Sequence, residues 1–268
     1  MTTQDEPAVL FDVTEGVGWI TLNRPKAYNA LNLDLAEGLL DAVIRCDEDE
    51  NVRALVIIGK GPSFCAGGDI RTMMDAAARD GHAAVFIKTL TVSLHEAIAT
   101  MAHMSKPVVM AVHGAAAGAG FSLALAGDLV LAADNARFTL AYTAIGLAPD
   151  GSSTFTLPRL IGAKRAFELM HTNRALSADE ARELGLVNQV FPAAQFVEQV
   201  REYAVRLAQG PTAALGYAKR LLTLSAQNSL ETQMEHERRA IAATARTADF
   251  REGADAFFSK RPAKFHGR

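Results

Sequence analysis

The chain has 268 residues, of which 49% are hydrophobic and 21% charged, with a net charge of −3. That length suits one large domain or a domain with a small appendage, and the apolar share is ample for a core. The mildly acidic balance excludes the basic excess that nucleic acid or an anionic membrane surface would demand.

From the N-terminus, the polar and acidic opening Met-Thr-Thr-Gln-Asp-Glu-Pro has no apolar signal core, so a cytoplasmic location is expected. Residues 9–13 and 18–22 gather β-formers around Glu15-Gly16 and predict a hairpin. A polar loop, Asn23 to Ala30, leads into a helix capped by Asn32, whose apolar face is spelled by Leu35, Leu39, Leu40, Val43 and Ile44. Residues 54–58 are continuously apolar and predict a strand buried on both faces. A glycine-rich loop over 59–70 follows, and then a helix over about 85–104. Cys46 and Cys65, the only cysteines, offer no metal quartet and point to a reducing compartment.

The chain is organised around residues 106–127, with no charged side chain between Lys106 and Asp128. A run that long raises the question of a membrane helix, but its four glycines argue against one uniform helix. It reads as a strand at 108–112, a tight loop at 113–118 and a buried helix at 119–126. A glycine turn opening a helix leaves backbone N–H groups free, able to hold an anion or an oxygen that becomes anionic during a reaction. Packing alone accounts for many such turns. Gly118-Ala-Gly120 lacks the third glycine of a dinucleotide fingerprint, and no Lys-Ser/Thr follows as in a phosphate loop. Gly120-Phe-Ser122-Leu-Ala124 nearly spells a serine-hydrolase elbow, a minor alternative in which alanine replaces the closing glycine.

Beyond the centre, 129–133 predicts another buried strand, 137–142 an extended segment, and 145–153 a turn opening a helix. The rest reads as helical. Ser177-Ala-Asp-Glu180 is a capping box, Gly185 a helix stop, and Gly210-Pro211 the start of another helix. Strands alternating with helices thus fill the first part, and helices alone the last. We divide the chain into a core over 1–200 and a helical region over 201–268, without a sharp linker.

Taken together, several motifs in order resemble one family. They are Asn23-Arg-Pro-Lys26-Ala-Tyr-Asn-Ala-Leu31, Phe64-Cys-Ala-Gly-Gly-Asp69-Ile, Lys106-Pro-Val, Ala111-Val-His-Gly114, Gly118-Ala-Gly-Phe, Gly127-Asp128, Ile145-Gly-Leu, Leu157-Pro-Arg-Leu-Ile-Gly162 and Ala181-Arg-Glu-Leu-Gly-Leu-Val187. Across nearly its whole length the chain resembles the crotonase superfamily, the enoyl-CoA hydratases and isomerases. The resemblance implies an α/β crotonase (ClpP-like) spiral of ββα units with a C-terminal helical region that builds homotrimers, often paired into hexamers. It implies an acyl-CoA thioester as substrate, with no metal or redox cofactor, no nucleic acid and no membrane. By the same resemblance, the N–H groups of Gly68 and Ala119 form an oxyanion hole, and Ala66, Gly67, Gly68, Asp69 and Ile70 line the CoA path. Lys26 reaches a CoA phosphate, as does Lys260 from a neighbouring subunit with Phe257 beside it; ordinary solvated charges are the alternative for both lysines.

The family's hydratases carry two glutamates, and the motif alignment puts Ser122 and Tyr142 at those positions. Serine and tyrosine are poor bases at neutral pH, and hydration ordinarily needs two positioned acid–base groups. A carboxylate occurs instead at Asp150, as on the superfamily's isomerase side, where one carboxylate suffices to carry a proton between two carbons. Asp150 is therefore the expected catalytic residue, with helix capping the alternative role for an Asp before Gly-Ser-Ser. The expected function is an acyl-CoA isomerase that moves a double bond or rearranges a ring epoxide through an enolate. Enoyl-CoA hydratase and a noncatalytic acyl-CoA-binding homologue are the alternatives. Tyr142 lines the acyl pocket or simply packs. Asp69 organises its loop rather than doing chemistry, and His95, His103 and His113 lack metal-ligand spacing.

Overall fold

A computed structural model describes residues 6–80 and 83–268. The hairpin forms from β1 (Val9–Thr14) and β2 (Val17–Leu22), and α1 (Leu33–Glu48) follows, with the Asn32 side chain accepting from Leu35 N at 3.1 Å. Next come β3 (Ala54–Gly59), α2 (Ile70–Asp80) and α3 (Ala83–His103). The centre of the chain supplies β4 (Val108–Val112), β5 (Ala115–Ala117) and α4 (Ala119–Leu125). Then β6 (Leu129–Ala133) and β7 (Arg137–Thr139) lead to α5 (Ser153–Ile161), α6 (Ala163–Thr172), β8 (Leu176–Ser177), α7 (Ala178–Glu183) and β9 (Gln189–Phe191). Four helices finish the chain: α8 (Phe196–Ala208), α9 (Thr212–Ser225), α10 (Leu230–Thr244) and α11 (Ala248–Phe258).

The main sheet runs β1-β2-β3-β4-β6-β9, antiparallel only at the first pair, and a second sheet runs β5-β7-β8. Both faces of the main sheet are covered, which is why its strands read as unbroken apolar runs. With the two-residue alternation of a strand, Leu55, Ile57, Val108, Met110 and Val112 join the core containing residues of α1 and α3. Their neighbours Ala54, Val56, Val109 and Ala111 pack instead with Phe196, Val200, Ala204 and Ala208 of α8. Burying a side chain of the Leu, Ile or Val class contributes roughly 1.5–3 kcal/mol, so the two layers hold the sheet in one register. By length and composition α3 could cross a membrane; here Leu90, Leu94, Ala97, Ile98 and Met101 are buried in the core.

Several expectations need correction. Ile44 is 45% exposed, because it lies outside the inward face of α1, where Leu35, Ala36, Leu39, Val43 and Cys46 are fully buried. The segment between the first glycine loop and α3 is helical, as α2. The central loop holds the short strand β5, and the later part of the chain is not all helix, since β8 and β9 complete the two sheets. The division at residue 200 falls inside α8, which covers the sheet, so the body of the fold extends to Ala208.

One ion pair ties the last helices to that body. Lys219 on α9 lies 2.7 Å from the Asp128 carboxylate, which also accepts from Val108 N at 2.8 Å. The same ammonium donates to the carbonyls of Met101 and Lys106. Lys219 is only 10% exposed, while Asp128 keeps 30% of its side chain open to water, so removing the ammonium takes a donor from two carbonyls and leaves a carboxylate that solvent partly screens. Lys219→Met is therefore expected to lose ~1–2 kcal/mol of stability in urea unfolding, and Asp128→Asn in the same chain is expected to recover part of that loss.

Candidate active site

Two loops meet to make the site, each leaving a parallel strand. The first, after β3, is braced by the Asn23–Ala30 segment. Asn29 is fully buried; its amide donates to the carbonyls of Ser63 (2.7 Å) and Lys60 (3.0 Å), and its Oδ1 accepts from Arg24 N (2.9 Å). Arg24 donates to the Ala30 carbonyl and pairs with Asp69 at 2.9 Å. Around Gly68 the backbone pairs in a parallel bridge with Leu31: Leu31 N donates to Gly67 O (2.7 Å), and Asp69 N donates to Leu31 O (2.9 Å). In such a bridge the central residue's own N–H faces the opposite way, so the Gly68 N–H is turned from Leu31.

The second loop leads from β4 into α4. Cys65 N donates to Ala115 O and Ala117 N to Cys65 O, both at 3.0 Å, so the two loops run side by side as paired backbone. That approach requires glycine at two points. Gly67 has φ +96, and a Cβ there would meet Ala117 O at 2.8 Å; a Cβ on Gly120 would collide with Cys65 O. Ala119 opens α4, so its N–H has no acceptor within the helix. Among the described residues, neither the Gly68 nor the Ala119 N–H donates to another backbone group. Both residues line one cavity of about 420 Å³.

Most of that cavity is apolar, walled by Leu31, Met73, Ile87, Leu90, Leu94 and Leu147. Its polar end holds Asp150, Tyr142 and His95. The Tyr142 hydroxyl donates to Asp150 Oδ1 at 2.6 Å and lies 2.8 Å from Ser122 Oγ. Burial, reinforced by the Asp150 charge, pushes the Tyr142 hydroxyl well above its ordinary pKa, so it stays protonated and acts as the donor. His95 Nε2 lies 3.5 Å from Asp150 Oδ2 and accepts the Gly151 N–H at 3.3 Å. The Asp150 carbonyl receives Ser153 N (3.2 Å) and Ser153 Oγ (2.8 Å), while its carboxylate accepts from Tyr142 rather than from helix N–H groups. Gly151, at φ +58, lets this turn press on Ser122; a Cβ there would come within 2.8 Å of Ser122 Cβ.

Of the residues expected at the site, Gly68, Ala119, Asp150, Tyr142, Ala66, Gly67 and Ile70 line the cavity. Asp69 does not: its carboxylate is committed to Arg24 and to Thr72 N (3.2 Å). Burial acts to raise its pKa, but the Arg24 and Thr72 hydrogen bonds and the Arg24 charge win, leaving it lowered. Lys26, Phe257 and Lys260 also lie outside the cavity lining and are exposed, Phe257 to 79%. The hydrolase-elbow reading of Ser122 falls away, because its hydroxyl is fully buried, bonds to Tyr142 and does not line the cavity. His95 was missed. Its only sequence signal is an imidazole next to Leu94 on the α3 stripe that carries Leu90, Leu94 and Ile98.

A family model described as enoyl-CoA hydratase/isomerase matches residues 12–268. The chain belongs to that family. It is 36% identical over 261 residues to 1,2-epoxyphenylacetyl-CoA isomerase of Escherichia coli (strain K12), covering 97% of this chain and 98% of the relative. To 4-chlorobenzoyl coenzyme A dehalogenase-2 of an Arthrobacter species it is 36% identical over 260 residues, covering 97% and 94%. A crystal structure of enoyl-CoA hydratase from Bacillus anthracis superimposes with a TM-score of 0.90 at 32% identity, covering 97% of this chain and 100% of that one. As a member of the enoyl-CoA hydratase/isomerase family, the chain has the crotonase fold, and its main sheet, helical layers and second sheet are that fold's parts.

Within this family fold, the paired loops make a specific demand on residue 67. Gly67→Ala is expected to push the loop off Ala117 and turn the Gly68 N–H out of line. In the oxyanion-hole role expected for Gly68, that misalignment would cost ~100-fold in turnover, to be read as kcat on an acyl-CoA substrate with the fold checked by circular dichroism.

Proposed function

We propose that this protein is an acyl-CoA isomerase in which Asp150 carries a proton between two carbons of the acyl chain while Gly68 and Ala119 hold the thioester oxygen. The observation that carries this reading is the charge inventory of the cavity: among the described residues that line it, Asp150 is the single carboxylate. The carboxylate takes a proton from the carbon next to the thioester; the C–H electron pair moves into the enolate, whose oxygen accepts the two backbone N–H bonds. Returning that proton two carbons away completes a double-bond shift. An enolate of the same kind would serve a ring-epoxide rearrangement, the chemistry named for the Escherichia coli relative. The cavity's apolar wall suits the unsaturated chain or ring and excludes water, which favours return of the proton to carbon. Hydration is less well supported, since Ser122 and Tyr142 stand uncharged beside Asp150 and leave no second carboxylate.

His95 favours a second reading. An imidazole 3.5 Å from the carboxylate is unnecessary for a one-carboxylate proton shift but suits hydrolytic substitution. There Asp150 would attack a ring carbon, expel chloride and form an ester, and His95 would activate the water that cleaves it. The Arthrobacter dehalogenases lend this reading its substrate. Exposed apolar side chains on the last helices, among them Leu222, Leu230, Ile241 and Phe258, support self-association into trimers or hexamers, which would bring Phe257 and Lys260 to a neighbour's site.

Asp150→Asn separates the alternatives. It keeps the shape but removes the base, and is expected to lower 3-enoyl-CoA isomerisation by at least ~100-fold while acyl-CoA still binds. His95→Gln is expected to leave isomerisation within about threefold, since a one-carboxylate shuttle does not require the imidazole. Full activity in Asp150→Asn would overturn the proposal. Chloride release from 4-chlorobenzoyl-CoA that disappears in His95→Gln would establish the second reading, and binding without turnover of any substrate a noncatalytic role.

A further inference from the structure

Ser122 is fully buried and does not border the cavity, yet it is joined to Asp150 through one phenol. The direction of that chain is fixed by counting hydrogens. Tyr142 has one, and it points at Asp150 Oδ1, 2.6 Å away. The phenol oxygen is then left as an acceptor, and the Ser122 hydroxyl, at 2.8 Å, supplies the donor. Ser122 has a second acceptor in Gly118 O, but at the longer distance of 3.4 Å. Gly118 O belongs to the peptide unit whose N–H is that of Ala119, so Ser122 stands between a proposed oxyanion donor and the proposed base.

On the far side of the carboxylate the bonding differs. His95 Nε2 receives the Gly151 N–H, and in that tautomer it has no hydrogen to give to Oδ2. Oδ1 is therefore held by a strong donor, while Oδ2 has none among the described residues. We infer that Ser122 and Tyr142 form a positioning relay that holds Asp150 by Oδ1 and presents Oδ2 as the atom that exchanges a proton with the substrate. This rests on Asp150 being the base, as proposed above. In the step itself a C–H bond breaks, an O–H bond forms at Oδ2, and the electron pair passes to the enolate oxygen. Ser122 acts only through Tyr142, so its contribution exists only while the phenol is present.

The test is deuterium exchange at the carbon next to the thioester of a saturated acyl-CoA, which isolates proton abstraction. Tyr142→Phe keeps the ring in the cavity wall and deletes only the hydroxyl; its exchange kcat is expected to fall about tenfold, the loss of one charge-assisted hydrogen bond, with KM within about twofold. Ser122→Ala is expected to lower kcat by a smaller factor, again without raising KM. In the Tyr142→Phe background, Ser122→Ala is expected to have no further effect, a non-additivity that independent packing roles would not produce. Thermal unfolding of each variant shows whether the fold is intact. An unchanged kcat in Tyr142→Phe, a loss confined to KM, or additive effects of the two substitutions would overturn the relay. Asp150→Asn in the same assay keeps the two ideas apart. Wild-type exchange there removes Asp150 as the base, whereas an inactive Asp150→Asn beside a fully active Tyr142→Phe removes the relay alone.

Discussion

The site depends on backbone pairing between two glycine loops. Cys65 bonds to Ala115 and Ala117 on either side, and this brings a loop end and a helix start, separated by some fifty residues of sequence, within backbone contact. Side chains cannot stand between them, which is why Gly67 and Gly120 sit where a Cβ would strike the opposite carbonyl. Everything else in the first loop supports that contact. Asn29 ties down Lys60 and Ser63, Arg24 ties down Asp69, and Leu31 takes up the peptide groups flanking Gly68. The Asn-Arg-Pro segment is thus a brace for the loop, and Asp69 is part of that brace.

Legibility in the sequence followed the range of the interactions. The strands β3, β4 and β6 were readable because both faces are covered, so nearly every residue is apolar. The caps at Asn32 and Ser177 were readable because a cap is a contact over three residues. The strands β5, β8 and β9, of two or three residues, exist only through partners far along the chain and leave no local pattern. Ile44 was misassigned because helical spacing marks a broad face but does not say how much of it the sheet will cover.

In the site, the glycine loops announced free N–H groups, but their convergence required the fold, or a likeness to chains known to have it. Asp150 stood out as an acid in a turn that opens a helix. His95 did not, since nothing in a helix of mixed apolar and polar residues marks the one side chain that will face a carboxylate 55 residues on. Nothing in the sequence joined Ser122 and Tyr142 to each other, beyond their shared place where the hydratases carry glutamates. Their closeness to each other and to Asp150 gives these positions a positive description, as neighbours in one hydrogen-bonded chain.

The Leu31–Gly68 bridge has a consequence for how such a protein can change. Because the free N–H groups of Gly68 and Ala119 belong to the main chain, no substitution at Ser122, Tyr142, Asp150 or His95 deletes them. Those four positions come from three separate segments and could be exchanged without rebuilding the paired loops. Under the proposed mechanism, enolate stabilisation and proton management are therefore separable inheritances: the first is fixed by main-chain geometry, and the second can be rewritten one codon at a time.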